Sequence, residues 1–143
     1  MASNGLGKRA DLGLLIARLG FGLGFFWFHG RPKLTDPERW AATGRAIRHF
    51  GITFAPEFWG LLAGIAEGIG GILVAAGLLF RPAVVAIFAV MVVATVNHIV
   101  TGQGSPAHAF KNAWLFAGLF FIGPGRYSLD HWLGGRRGAR RRR

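Results

Sequence analysis

The chain has 143 residues, 52% of them hydrophobic, a formal net charge of +11 and no cysteine. One domain fits that length, and the missing thiols exclude a disulfide framework, thiolate catalysis and thiolate-held metal or iron–sulfur centres on this chain. A mean hydropathy of +0.38 with long segments apolar on all sides argues against a soluble bundle, whose helices would carry charged faces.

Residues 1–11 are polar, with Lys8 and Arg9 ahead of the first apolar run. Residues 12–30 are long enough to cross a bilayer, which takes about 20 mostly apolar residues. A cleaved signal peptide shares this basic-then-apolar anatomy. Here Arg18 interrupts the apolar stretch and no small-residue cleavage site follows, so a span is the better reading. On a helix Arg18, Gly22, Phe25 and His29 line one face. The glycines at 20, 22 and 24 form a G-x-G-x-G string, but no strand precedes it, and a nucleotide loop is not expected.

Residues 31–55 form a polar connection. Asp36-Pro37-Glu38 predicts a helix start, with Asp36 as N-cap and Pro37 at N1. The helix to about Phe50 sets Trp40, Ile47 and Phe50 against Glu38, Arg45, Arg48 and His49, the pattern of a helix lying in the membrane interface. A mobile loop is the alternative.

The second span covers residues 56–80, PEFWGLLAGIAEGIGGILVAAGLLF. Gly60, Ala63, Gly64, Glu67, Gly68 and Gly71 share a face, with Leu62, Ile65, Ile69, Leu73 and Ala76 round the other side. A small-residue face lets a second helix backbone come close, so Glu67 is expected to point into a bundle. An ionisable group at that depth marks a candidate site. Arg81-Pro82 reads as a tight turn. The third span, 83–100, is rich in β-branched residues, but its length favours a helix over a strand. Met91, Thr95 and His98 share a face there. The fourth span, about 107–122, ends at Gly123-Pro124-Gly125. Trp27, Trp59, Trp114 and Trp132 fall near span ends, as in an aromatic belt.

The expected architecture is an all-α, integral-membrane four-helix bundle over residues 1–132, with a short interfacial helix between the first two spans and a basic tail at 133–143. Lys8, Arg9, Arg81 and the tail arginines outweigh Arg31, Lys33, Arg39, Arg45 and Arg48 in the first long loop, which places both termini in the cytoplasm. Arg136, Arg137, Arg140, Arg141, Arg142 and Arg143 are expected to contact anionic lipid headgroups rather than nucleic acid.

These residues resemble the DoxX family of small four-helix membrane proteins. The resemblance rests on Arg18 in a glycine-rich first span, HG at 29–30 with KL at 33–34, AEGIGGILVAAGLLFRPA at 66–83, a third span bearing Met and His, and GPGRYSLD at 123–130. It implies a four-helix membrane bundle. Some members are associated with thiosulfate:quinone oxidoreductase systems and others with membrane complexes handling sulfur or oxidative stress. The arginine-rich ending and the long first loop stand outside the shared pattern.

Arg18, His29, Lys33, Glu67 and His98 form the candidate buried polar site. Stranding Arg18 in hydrocarbon is costly, so Arg18 and Glu67 are expected to be linked, directly or through one polar group or water. An internal pair that only fixes helix register competes with a ligand or proton-handling role. His29 and His98 have the chemistry of metal ligands, but two histidines on separate helices are a weak signal, and no metal is expected. No catalytic set is legible. The readings carried forward are a non-catalytic accessory or scaffold subunit with a protein partner in the membrane, a quinone- or small-molecule-binding oxidoreductase component, and, more weakly, a proton or small-solute carrier.

Overall fold

The computed structural model describes residues 3–140, and the side chains of residues 7–135. Every regular element among them is helical. Helix α1 (Ser3–Gly24) continues through a π-helical turn (Phe25–Gly30) into α2 (Arg31–Thr35). Next come α3 (Glu38–Gly44), a 3₁₀ segment (Arg45–Phe50), α4 (Pro56–Ala76), α5 (Phe80–Thr101), α6 (Pro106–Ile122) and α7 (Leu129–Arg140). Three helices among the described residues have the length and composition to cross a membrane: Gly7–Thr35, Pro56–Ala76 and Phe80–Thr101. The fourth apolar run forms α6, whose 17 residues reach about 25 Å, against a hydrocarbon core of about 30 Å.

α4 is the hub. It packs against α1, the π turn, α2, α3 and α5, while α6 lies on α5. Its small-residue face does what the sequence predicts. Gly71 meets the backbone of Gly22 and Phe26, Gly68 meets Gly30 and Leu34, Gly64 meets Lys33, and Gly60 meets the Trp40 backbone. The first helix therefore runs antiparallel to α4 from Arg18, at Gly77, to Leu34, at Gly64. A Cβ on Gly30 would collide with the Gly68 backbone, so this crossing tolerates only glycine. On the opposite side of α4, Leu62, Ile65, Ile69 and Ile72 are exposed apolar surface, the face a lipid solvent covers. Between α5 and α6 the core is built by Phe80, Val84, Ile87, Met91 and Phe116, with Phe25 set edge-on to Phe116.

Several boundaries differ from the sequence reading. The second span ends at Ala76, not Phe80. Gly77 (φ 65°) takes the left-handed conformation, with Gly77 N–H donating to Val74 O and Leu78 N–H to Leu73 O, the paired bonds of a Schellman ending. Arg81 and Pro82 lie in the first turn of α5, where proline's missing N–H would have no helical partner anyway. Asp36 does not cap α3. Pro37 occupies the N-cap position with no side-chain cap, and the Asp36 carboxylate instead accepts from Arg39 Nε at 2.7 Å. The tail begins as a helix, α7, with His131 N–H donating to Ser128 Oγ.

The chain from the end of α6 into the first turn of α7 locks one end of the fold. Asp130 accepts from Leu79 N–H (3.0 Å) and Phe80 N–H (2.9 Å), so a carboxylate fifty residues away caps α5. It also holds Leu79 at φ 45°, a left-handed conformation that a leucine keeps only under constraint. Asp130 N–H donates to Gly77 O at 2.9 Å. Asp11 Oδ1 accepts from Arg126 N–H at 3.1 Å, which ties α1 to the same segment.

Candidate functional site

Glu67 is 1% exposed and is buried where α4 meets the π turn and α2. Its partner is Lys33: the Lys33 ammonium donates to Glu67 Oε2. Lys33 keeps 24% of its side chain exposed, so the pair has one buried and one accessible member. Trp40 Nε1–H donates to Lys33 O at 2.6 Å and fixes the backbone that carries the lysine.

Arg18 is equally buried but does not belong to this site. Its Nη2 donates to Tyr127 O, and its guanidinium packs on Gly77. Gly77 lies ten positions beyond Glu67, about 15 Å along α4, so the expected link between Arg18 and Glu67 is not formed. A cation at the C-terminal end of α4 meets the negative end of that helix's dipole. Arg18 Nε and Nη1 have no hydrogen-bond partner among the described residues.

The π turn explains where His29 goes. Successive residues on an α-helix are about 100° apart, and a π turn inserts one residue, rotating everything beyond it by about that angle. Gly30 is thereby brought onto the α4 side and His29 is turned toward α6. His29 Nε2 lies 3.4 Å from His108 Nε2, and Asn112 Nδ2 lies 3.1 Å from the same His108 atom. His98 is not part of this cluster: its Nδ1 is 2.6 Å from Gln103 O, a clamp on the loop after α5. No group of three or more His, Asp or Glu able to hold a metal ion occurs among the described residues. The arginines assigned to lipid contact, Arg136 to Arg143, lie outside the described side chains.

Beside Lys33 an open groove of about 350 Å³ runs between α4 and α5 under the 3₁₀ segment. Its walls are mostly small and apolar, among them Ala63, Ala66, Ala86, Ala89 and Val90, with Lys33, Thr43 and Trp59 as the polar-bearing residues. Trp59 Nε1 is buried and has no hydrogen-bond partner among the described residues. A buried donor left unpaired costs about 1–3 kcal/mol. Volume and lining fall in the range of small-molecule sites.

The sequence reading placed Lys33 in the site but gave Glu67 the wrong partner. The missed signal is length: a first helix carried past Gly30 to Thr35 brings Lys33 alongside Gly64 and Glu67. The roles of His108, Asn112, Tyr127 and Asp130 are not legible in the sequence, because nothing in their local spacing reports contacts this distant in the chain. In comparisons with known proteins, the family model of DoxX matches residues 13–100. No curated protein and no solved structure matches.

Proposed function

The chain belongs to the DoxX family, and on that premise we propose that it is a four-span membrane component of a redox or sulfur-handling complex that seats a quinone or similar lipophilic molecule between α4 and α5. In this reading α6 completes the bundle, the α3 region lies at the interface, both termini are cytoplasmic and the basic tail rests on anionic lipid. The observation that carries the ligand reading is the groove itself, an apolar slot with one lysine among the residues on its walls. A ring carbonyl is an acceptor that the lysine ammonium suits.

A bound quinone would supply the electron- and proton-accepting chemistry. The chain's own residues bind and orient. Glu67 holds the Lys33 ammonium in place, Lys33 presents positive charge to the acceptor oxygen, and the alanine and valine walls exclude water and strengthen that attraction. The open, alanine-lined groove also suits the side of a partner helix, so a scaffold subunit that docks a membrane protein is the second reading.

The test is saturable quenching of Trp59 fluorescence by a short-chain quinone in detergent. Ala89 is exposed and lines the groove, so Ala89→Phe fills the slot with little risk to folding. The expected result is a rise in Kd of at least about tenfold in Ala89→Phe and loss of the quenching signal in Trp59→Phe. Quenching that never saturates, and is the same in both variants, refutes the ligand reading. A protein that co-purifies with the wild type but not with Ala89→Phe then favours the scaffold.

A further inference from the structure

We infer that His29 and His108 form an open site for a divalent transition-metal ion of the copper or zinc class. The two Nε2 atoms are 3.4 Å apart, whereas the ring centroids are 5.4 Å apart. The ring planes are 27° apart, and the shorter nitrogen separation means that the two Nε2 edges are turned toward each other. With bonds of about 2.0–2.1 Å to each nitrogen, an ion between them would subtend about 110°, close to the tetrahedral angle.

A hydrogen bond accounts for the pair less well. The separation exceeds the usual range of about 2.7–3.2 Å, and Asn112 competes for the same His108 nitrogen at 3.1 Å. An imidazole nitrogen carries either one proton or one in-plane lone pair, so His108 Nε2 cannot accept from both neighbours. A cation at the point of convergence takes both imidazole lone pairs. The Asn112 amide, whose oxygen and nitrogen are exchanged by a simple flip, can add its oxygen.

Imidazole suits zinc, copper and nickel. Two imidazoles and an amide oxygen leave positions for water, so this is an open site rather than a closed structural one. His108 is exposed near the start of α6, beside the polar loop at 102–105, which gives an ion access from the polar end of the helix. Glu67 and Lys33 are the charged groups within electrostatic reach of His29. The bound ion would clasp the π turn of the first helix to α6, residues 79 positions apart in the chain.

The experiment uses the full chain purified without a histidine tag. Cu(II) is titrated by equilibrium dialysis, with electron paramagnetic resonance to count nitrogen ligands. The expected result is one ion per chain with coupling to two nitrogens. His29→Gln and His108→Gln should each weaken binding by at least about tenfold, which is about 1.4 kcal/mol, while His98→Gln leaves it unchanged. Because His108 is exposed, His108→Gln keeps the test informative if His29→Gln fails to fold. Unchanged affinity in His108→Gln, a wild type that binds no more tightly than the His29→Gln/His108→Gln double variant, or an equal loss in His98→Gln overturns the inference.

Discussion

Removing Lys33 should cost more than neutralising Glu67, although they are two ends of one bond. Glu67 is almost fully enclosed, and Lys33 is its ion-pair partner. Lys33→Met leaves a carboxylate buried against Gly68 and the π turn with nothing to offset its charge. Breaking a buried pair in this way costs about 3–5 kcal/mol. Glu67→Gln leaves a lysine that is a quarter exposed, on a stem long enough to carry its ammonium to the interface. The loss there is closer to that of a hydrogen bond to a charged group, about 1.5–3 kcal/mol. Replacing both, as Lys33→Met/Glu67→Leu, removes the stranded charge and should bring stability back near wild type. The assay is the unfolding midpoint in detergent followed by tryptophan fluorescence, run as a double-mutant cycle. A double variant whose loss is the plain sum of the two singles would show that the pair is not coupled, and equal losses in the two singles would show that the difference in burial has no energetic consequence. Quinone quenching in the recovered double variant adds a separate readout: it should be weakened, because the groove has lost its cation.

Gly30→Ala should sharply reduce the yield of folded protein, because the new Cβ meets the Gly68 backbone, whereas Gly20→Ala, with open space around it, should leave yield unchanged; size-exclusion profiles of the two separate these outcomes. Asp130→Ala should destabilise the fold by about 0.5–2 kcal/mol, the usual cost of losing a helix cap, with Asp130→Asn recovering part of it in thermal unfolding. For orientation, cysteines introduced singly at Thr101 and Arg143 of this cysteine-free chain should react with an impermeant thiol reagent in intact cells at Thr101 only, and the reverse pattern would invert the topology.

The helices and the glycine face of α4 were legible because both follow from periodicity. Gly60, Gly64, Gly68 and Gly71 recur at helical spacing, and a stripe without side chains can only serve close backbone approach. What was not legible depended on register. The partner of Glu67 is decided by how far the first helix extends and by one extra residue in its π turn, FFWFHG. That hexapeptide contains no proline, and only His29 and Gly30 break its aromatic run, so nothing in it announces the turn. A uniform helical count therefore put His29 on the α4 face and ended the span at Gly30, short of Lys33. The segment at 123–130 carries a family resemblance in its sequence, but its role as a latch follows only from the position of Asp130 on the N-terminus of α5.

The two buried ionic groups divide the molecule into ends with different properties. Around Arg18 each device restrains motion: the Schellman ending at Gly77, the Asp130 cap, the Asp11 bond to Arg126 and the guanidinium seated on the α4 terminus. Around Glu67 the helix is irregular, the groove is open and two imidazoles face each other across a gap. An irregular turn disturbs the backbone hydrogen bonds of a helix, which is unfavourable in a membrane unless something compensates for it. Had Arg18 and Glu67 paired, their charges would have cancelled in one rigid contact and left neither available. Because they are held about 15 Å apart, the carboxylate pairs instead with Lys33, which is partly exposed and is also one of the residues on the wall of the α4–α5 groove.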